Sequence, residues 1–225
     1  MAVDLSPHDV AGVLDQLYRA ANDGVPHRFY LRSEDLKMLA RRERSLRPEF
    51  FEETARELEI CHSILMSYPR LARGGVLGFV SLRVAENWPA APEENVREAL
   101  REEFGSDWAQ SVRRRLQKLY ELNPGDPESP RPTVITERQL CRMAQRRKFD
   151  QKWWFEFLSV LSKISADERL IFFSYGSIND ISFVIIHEDY IRRWFHPTEE
   201  HWIQALKRHQ LDESDGDVSP RSTDT

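Results

Sequence analysis

The sequence predicts a mixed α+β protein built from two similar halves, each a run of short helices and strands in the same order. Three observations predict it. The same string of elements is read twice, about a hundred residues apart, and a repeat of that size sets the architecture before any local detail. Helix-capping residues recur at matching places in the two strings. Each string then closes on two short apolar runs separated by glycine-containing loops, the pattern of a β-hairpin.

The repeat is carried by named positions. Arg28-Phe29-Tyr30-Leu31 leads into a segment from Ser33 to Arg42, and Thr133-Val134-Ile135 leads into one from Thr136 to Arg147. Leu31 matches Ile135, Leu36 matches Leu140, Leu39 matches Met143, Ala40 matches Ala144 and Arg42 matches Arg146. Phe50-Phe51 matches Trp153-Trp154, and Leu58 matches Leu161. Gly75 and Ser81 are expected to match Gly176 and Ser182.

The elements follow in order. Ser6-Pro7 supplies an N-cap and a proline at the first helical position, and Val10, Val13, Leu14, Leu17 and Tyr18 share one helix face. A strand is expected over 27–31, then a helix capped by Ser33 that runs to about Arg44. A third helix starts at Pro48, with Phe50, Phe51, Thr54, Leu58, Cys61 and Ile64-Leu65 facing inward. Leu65–Tyr68 and Val76–Val84 are expected to pair as strands around the loop 70–75, where Gly74-Gly75 supplies turn conformations. Trp88-Pro89-Ala90-Ala91-Pro92 separates the halves, and 93–122 is a helix broken near Gly105-Ser106-Asp107. In the second half Thr136 and Gln139 form a capping box, Asp150 caps a helix to about Ile164, and Leu170–Tyr175 pairs with Ile181–Ile186. A last helix is expected over 197–210.

Helix, strand, helix, helix, hairpin is an order that resembles the winged helix-turn-helix, over roughly 7–86 and again over 94–188. The resemblance implies two winged-helix-like domains in tandem, over 1–88 and 133–196. A linker helix and proline-rich loop (89–132) would join them, with a C-terminal helix (197–210) and a disordered acidic tail (211–225) after them. It also implies a helix-turn-helix in each half. By architecture, though by no motif, the chain is similar to the tandem winged-helix subunits that bind kleisins in condensin-like complexes.

Composition narrows the function. With 40% hydrophobic and 31% charged residues the chain is an ordinary globular sequence, and no apolar run approaches the length needed to cross a membrane. No signal-peptide pattern opens it, so a cytoplasmic location is the expectation. Cys61 and Cys141 show no metal or redox spacing and are expected to be reduced residues on core-facing helix sides. The net charge is −5, and Asp212, Glu213, Asp215, Asp217 and Asp224 against Arg221 place most of it in the tail. The rest of the chain is therefore close to neutral, which excludes a basic field over the whole protein as the route to nucleic acid.

Local clusters remain. Arg41 and Arg42 close one second helix; Arg142, Arg146, Arg147 and Lys148 close the other; Arg70 and Arg73 sit in the first hairpin loop. The helix-end placements suit phosphate contacts, and they also suit cations drawn to helix C-termini by the dipole, while the Arg70/Arg73 loop is placed to reach a groove. The third helix of the first half carries Glu49, Glu52, Glu53, Glu57 and Glu59 against Arg56, which would repel a phosphate backbone. In the second half Trp153, Trp154 and Phe155 crowd more aromatic surface than one helix face buries. They either pack on a neighbouring helix or contact a protein partner or a second copy.

No catalytic pattern emerges. His196 and His201 are spaced for no single helix face, Cys61-His62 diverge on a helix, and Gly74-Gly75-Val76-Leu77-Gly78 lacks the lysine of a phosphate loop. No cofactor or metal is expected. The expected function is therefore non-enzymatic: an accessory subunit working by protein–protein contacts in a nucleic-acid-associated assembly. A direct DNA-binding replication or regulatory protein is the alternative, and an enzyme with an unrecognised site stands third.

Overall fold

A computed structural model describes residues 5–21, 28–40, 48–67, 75–123, 132–148, 156–157, 160–161, 169–177 and 180–216. Their order is α1 (Pro7–Ala21), β1 (Arg28–Arg32), α2 (Ser33–Leu39), α3 (Pro48–His62), β2 (Ile64–Met66), β3 (Val76–Ser81), α4 (Leu82–Glu86), α5 (Glu93–Ala99) and α6 (Trp108–Leu122). Then come β4 (Thr133–Thr136), α7 (Glu137–Met143), β5 (Leu170–Ser177), β6 (Asp180–His187), α8 (Glu188–Ile191) and α9 (Glu199–Gly216). Residues 156–157 and 160–161 are helical. No described helix is long and apolar enough to cross a membrane.

Local signals set the helix starts. The Ser6 hydroxyl accepts from the Asp9 amide at 3.2 Å, and the Asp9 carboxylate accepts from the Ser6 amide at 2.9 Å and its hydroxyl at 2.6 Å. These bonds hold the Asp9 carboxyl below its usual range. Thr136 and Gln139 make the expected capping box, at 3.3 and 3.0 Å. In α2 the cap lies one residue earlier than expected, because the Asp35 carboxylate accepts from the Arg32 amide at 2.9 Å, so Ser33 already belongs to the helix.

The chain is a mixed α+β protein with two three-stranded antiparallel sheets, of strand order β1-β3-β2 and β4-β6-β5. The third strand of each half lies between the other two. Alternation along the strands builds three cores. Phe29, Leu31, Ile64, Met66, Leu77 and Phe79 face α1, α2 and α3. Ile135, Leu170, Phe172, Phe183 and Ile185 face α5, α6 and α7. The alternate residues, Leu65, Val76 and Val80 on one sheet and Val134, Ile171, Phe173, Val184 and Ile186 on the other, form a shared core in which the two sheets cover each other. Gly78 lies at the close approach: a Cβ there would stand 2.8 Å from Phe173 Cζ and 3.1 Å from Trp194 Cζ3.

Leu31/Ile135, Leu36/Leu140, Leu39/Met143, Ala40/Ala144 and Leu58/Leu161 are all buried, as the repeat requires. Four expectations need correction. Gly75 precedes β3 whereas Gly176 lies within β5, so Ser81 at the end of β3 corresponds to His187 at the end of β6, not to Ser182. Cys61 is exposed; α3 ends at His62 and Ile64-Leu65 belong to β2, so the inward stripe stops at Leu58. Residues 82–86 are helix rather than the end of a strand. α9 continues to Gly216, so 211–216 are helical and not disordered; the remaining tail, 217–225, lies outside the described residues.

Candidate nucleic-acid interface

Among the described residues, a cluster of cations lies in the second half. α7 ends at Met143, and Gln145 then takes a left-handed conformation, φ 52°. The Arg146 amide donates back to the Cys141 carbonyl at 2.8 Å, which closes the helix end and folds 146–148 back along it. Arg138 and Arg142, one helical turn apart on α7, meet Arg146, Arg147 and Lys148 around a cleft of about 350 Å3. Asp180, at the start of β6, and Glu137 form its acidic wall. Glu137 is fixed there by accepting from the Ile181 amide at 3.4 Å. Cys141 lies on the floor, and burial pushes its thiol up, away from reactivity.

Two of these cations are already engaged. Arg142 pairs with Glu93 of α5, and this bond holds the Glu93 carboxyl below its usual range. Arg146 pairs with Glu156 at 3.3 Å and lies over the Trp108 ring at 5.3 Å. Trp108 is held in turn by its indole N–H donating to the Ala144 carbonyl at 2.9 Å. Arg138, Arg147 and Lys148 are exposed at the rim. Five cations and two carboxylates thus line the cleft, and two of the cations pair with Glu93 and Glu156 outside its lining. Its charge suits an anionic group, and the one thiol in its lining, Cys141, is held protonated by burial.

Of the cations that the sequence singles out, the fold gathers Arg142, Arg146, Arg147 and Lys148 into this one cleft. Arg41, Arg42, Arg70 and Arg73 lie outside the described residues, as do Trp153, Trp154 and Phe155. Arg138 was missed, although its spacing of four from Arg142 is a readable signal. Arg115 on α6 is buried and donates to the carbonyls of Leu100, Glu102 and Met143 at 3.2, 3.1 and 3.1 Å.

Among the described residues of the first half, the outer face of α3 presents the opposite charge. On α3, Phe50, Phe51, Thr54 and Leu58 are buried, which turns Glu49, Glu52, Glu53, Arg56 and Ile60 to solvent. Glu57 accepts from His8 at 2.7 Å and from the Cys61 thiol at 3.3 Å, and that bond holds the thiol protonated. His196 faces Asp35 at 3.7 Å while His201 bonds Thr198 at 2.5 Å, so the two histidines serve separate contacts. Among the described residues no group of three or more His, Cys, Asp or Glu is placed to hold a metal. Comparison with known protein families, curated proteins and solved structures finds no match to this chain.

Proposed function

We propose that the chain is a non-enzymatic tandem winged-helix protein that acts through protein–protein contacts as an accessory subunit of a nucleic-acid-associated assembly. The strand order of both sheets, with the third strand central, supports the winged-helix reading. The observation that carries the function is the acidic outer face of α3, with Glu49, Glu52 and Glu53 exposed. α3 occupies the place of the groove-reading helix in a helix-turn-helix, and a face of carboxylates there repels phosphate and suits a basic protein surface.

Direct nucleic-acid binding is the second reading, favoured by the cleft of Arg138, Arg142, Arg146, Arg147 and Lys148. Cations in that arrangement contact backbone rather than base edges, so this binding is weakly sequence-selective.

Fluorescence anisotropy on duplex and single-stranded DNA at two salt concentrations separates the readings. The accessory role expects no binding tighter than about 10 μM near physiological salt, in the range of non-specific contacts. Tighter, salt-dependent binding that Arg146→Glu/Arg147→Glu abolishes makes the chain a direct binder. Charge reversal of Glu49, Glu52 and Glu53 is expected to remove co-purifying protein partners and leave folding intact.

A further inference from the structure

The cleft beside α7 has two walls that do not meet. Among the described residues, the side chains of Arg138, Arg147 and Lys148 make no ion pair, hydrogen bond or ring contact. The Asp180 carboxylate, on the other wall, has no partner either. Arg142 and Arg146 are compensated from outside, by Glu93 and Glu156. Three cations therefore stand together without a counter-charge, and no ion pair closes the gap between them and Asp180.

The backbone holds them there. Arg138 and Arg142 lie one turn apart on α7. The left-handed Gln145 and the bond from the Arg146 amide to the Cys141 carbonyl turn 146–148 back along that helix. Arg146 lies over Trp108, and the Trp108 indole is bonded to the Ala144 carbonyl. Asp180 opens β6, paired with Ser177 of β5. Like charges gathered in this way focus a positive field into the cleft, and an anion placed between them gains from it.

Size, charge and the acidic wall choose the anion. At about 350 Å3 the cleft is at the small end of ligand pockets, with room for about one nucleotide and not for a run of strand. A phosphate monoester carries close to two negative charges at neutral pH, so it answers several cations at one point. Arginine offers a fork to its oxygens and lysine a point charge. Asp180 and Glu137 oppose a backbone that continues across the cleft. Glu137 is already engaged by the Ile181 amide, which leaves Asp180 to accept from hydroxyl groups, as carboxylates do from a ribose.

We propose that this cleft is a nucleotide site, in which Arg138, Arg147 and Lys148 hold a terminal phosphate monoester and Asp180 accepts from the sugar hydroxyls of the nucleoside that carries it. The inference rests on the cleft of the second reading and narrows it, from phosphates along a strand to a terminal phosphate. A free nucleotide and the phosphorylated end of a strand present the same group.

Isothermal titration calorimetry on the full chain tests it, near pH 8, where inorganic phosphate and adenosine 5′-monophosphate are both close to dianions. The nucleotide is expected to bind with a Kd of about 0.1 mM, and adenosine and inorganic phosphate at least about tenfold more weakly. Arg138→Gln/Arg147→Gln changes two exposed side chains and is expected to weaken the nucleotide at least about tenfold. Asp180→Ala is expected to remove the advantage of the nucleotide over inorganic phosphate. Phosphate binding as tight as the nucleotide overturns the proposal, as does an advantage that survives Asp180→Ala or a nucleotide affinity that ignores the arginine pair. Strands distinguish the sources. A 5′-phosphorylated oligonucleotide that binds more tightly than the nucleotide, and than its 5′-hydroxyl form, makes a strand end the ligand; one that binds no more tightly makes it the free nucleotide. A 5′-hydroxyl strand that binds as tightly as the phosphorylated one, with no binding of the nucleotide, overturns the proposal and leaves the second reading standing. Should a variant fail to fold, the ligand series on the native chain decides.

Discussion

The two halves share a strand order, yet they differ in charge and in fastening. The first half turns carboxylates outward on α3 and is closed by α9, with His196 facing Asp35; the second gathers cations on and just beyond α7 and is closed by α5, with three side-chain bonds across that contact. Among the described residues, the two halves therefore carry an acidic helix face and a basic cleft at different places. What the halves have in common is the buried strand alternation, the shared core between the sheets, and a left-handed residue before the second strand, Ser63 and Arg169. The difference in charge lies on exposed side chains, where substitutions cost little stability and are free to follow function.

The sheet-to-sheet contact is where the comparison breaks most severely. The first half has Gly78 where the rings of Phe173 and Trp194 from the second half press closest. Gly78→Val overpacks this contact and is expected to lower unfolding free energy by about 3 kcal/mol, the upper part of the range for overpacked cores. Urea unfolding monitored by tryptophan fluorescence measures it. Phe173→Leu in the same chain is expected to restore part of the loss, because the nearest atom to the added Cβ is the tip of that ring. Loss of the same size with and without Phe173→Leu places the strain in the strand backbone instead.

Arg115 sharpens the contrast of fastening. It is buried in the second half, its guanidinium ties the turn after α5 and the end of α7 to α6, and desolvation lowers its basicity. Arg115→Met keeps the apolar stem but strands the carbonyls of Leu100, Glu102 and Met143. The expected cost is about 2 kcal/mol, the desolvation penalty of buried acceptors left unsatisfied. Amide hydrogen exchange in 94–99 is expected to rise, because the turn after α5 loses its tie to α6.

These particulars show what the sequence reveals and what it hides. Caps at Ser6 and Thr136 are legible because their partners sit three residues away. The strands are harder to read: Leu170 and Phe172 face the helices while Ile171 and Phe173 face the other sheet, so burial on both faces erases the period of two. The hairpin match slips for a related reason. β2 spans Ile64–Met66 whereas β5 spans Leu170–Ser177, and aligning Gly75 with Gly176 ignores that difference in length. The packing of α9 on α1 is invisible because the two helices lie at opposite ends of the chain. The cleft is half legible: four of its cations form an evident cluster, but their convergence depends on Gln145 entering a left-handed conformation that its side chain does not announce.

The smallest effect concerns the edge where the first half meets the second hairpin. Glu59 on α3 is partly buried and accepts from the Gly176 backbone; burial is the larger influence and raises its pKa. An acid with a raised folded pKa is more stable protonated, so it costs stability above that pKa, and the cost vanishes as pH falls below the unfolded value. Glu59→Gln keeps an acceptor for Gly176 and removes the charge. It is expected to stabilise the protein at neutral pH by less than about 0.5 kcal/mol, since solvent screens a group this exposed. The gain is expected to fade below about pH 4, where the native carboxyl is itself neutral. Urea midpoints for the two chains at both pH values measure the difference. An equal gain at both makes packing of the amide its cause, and would remove charge from the account of how the two halves meet.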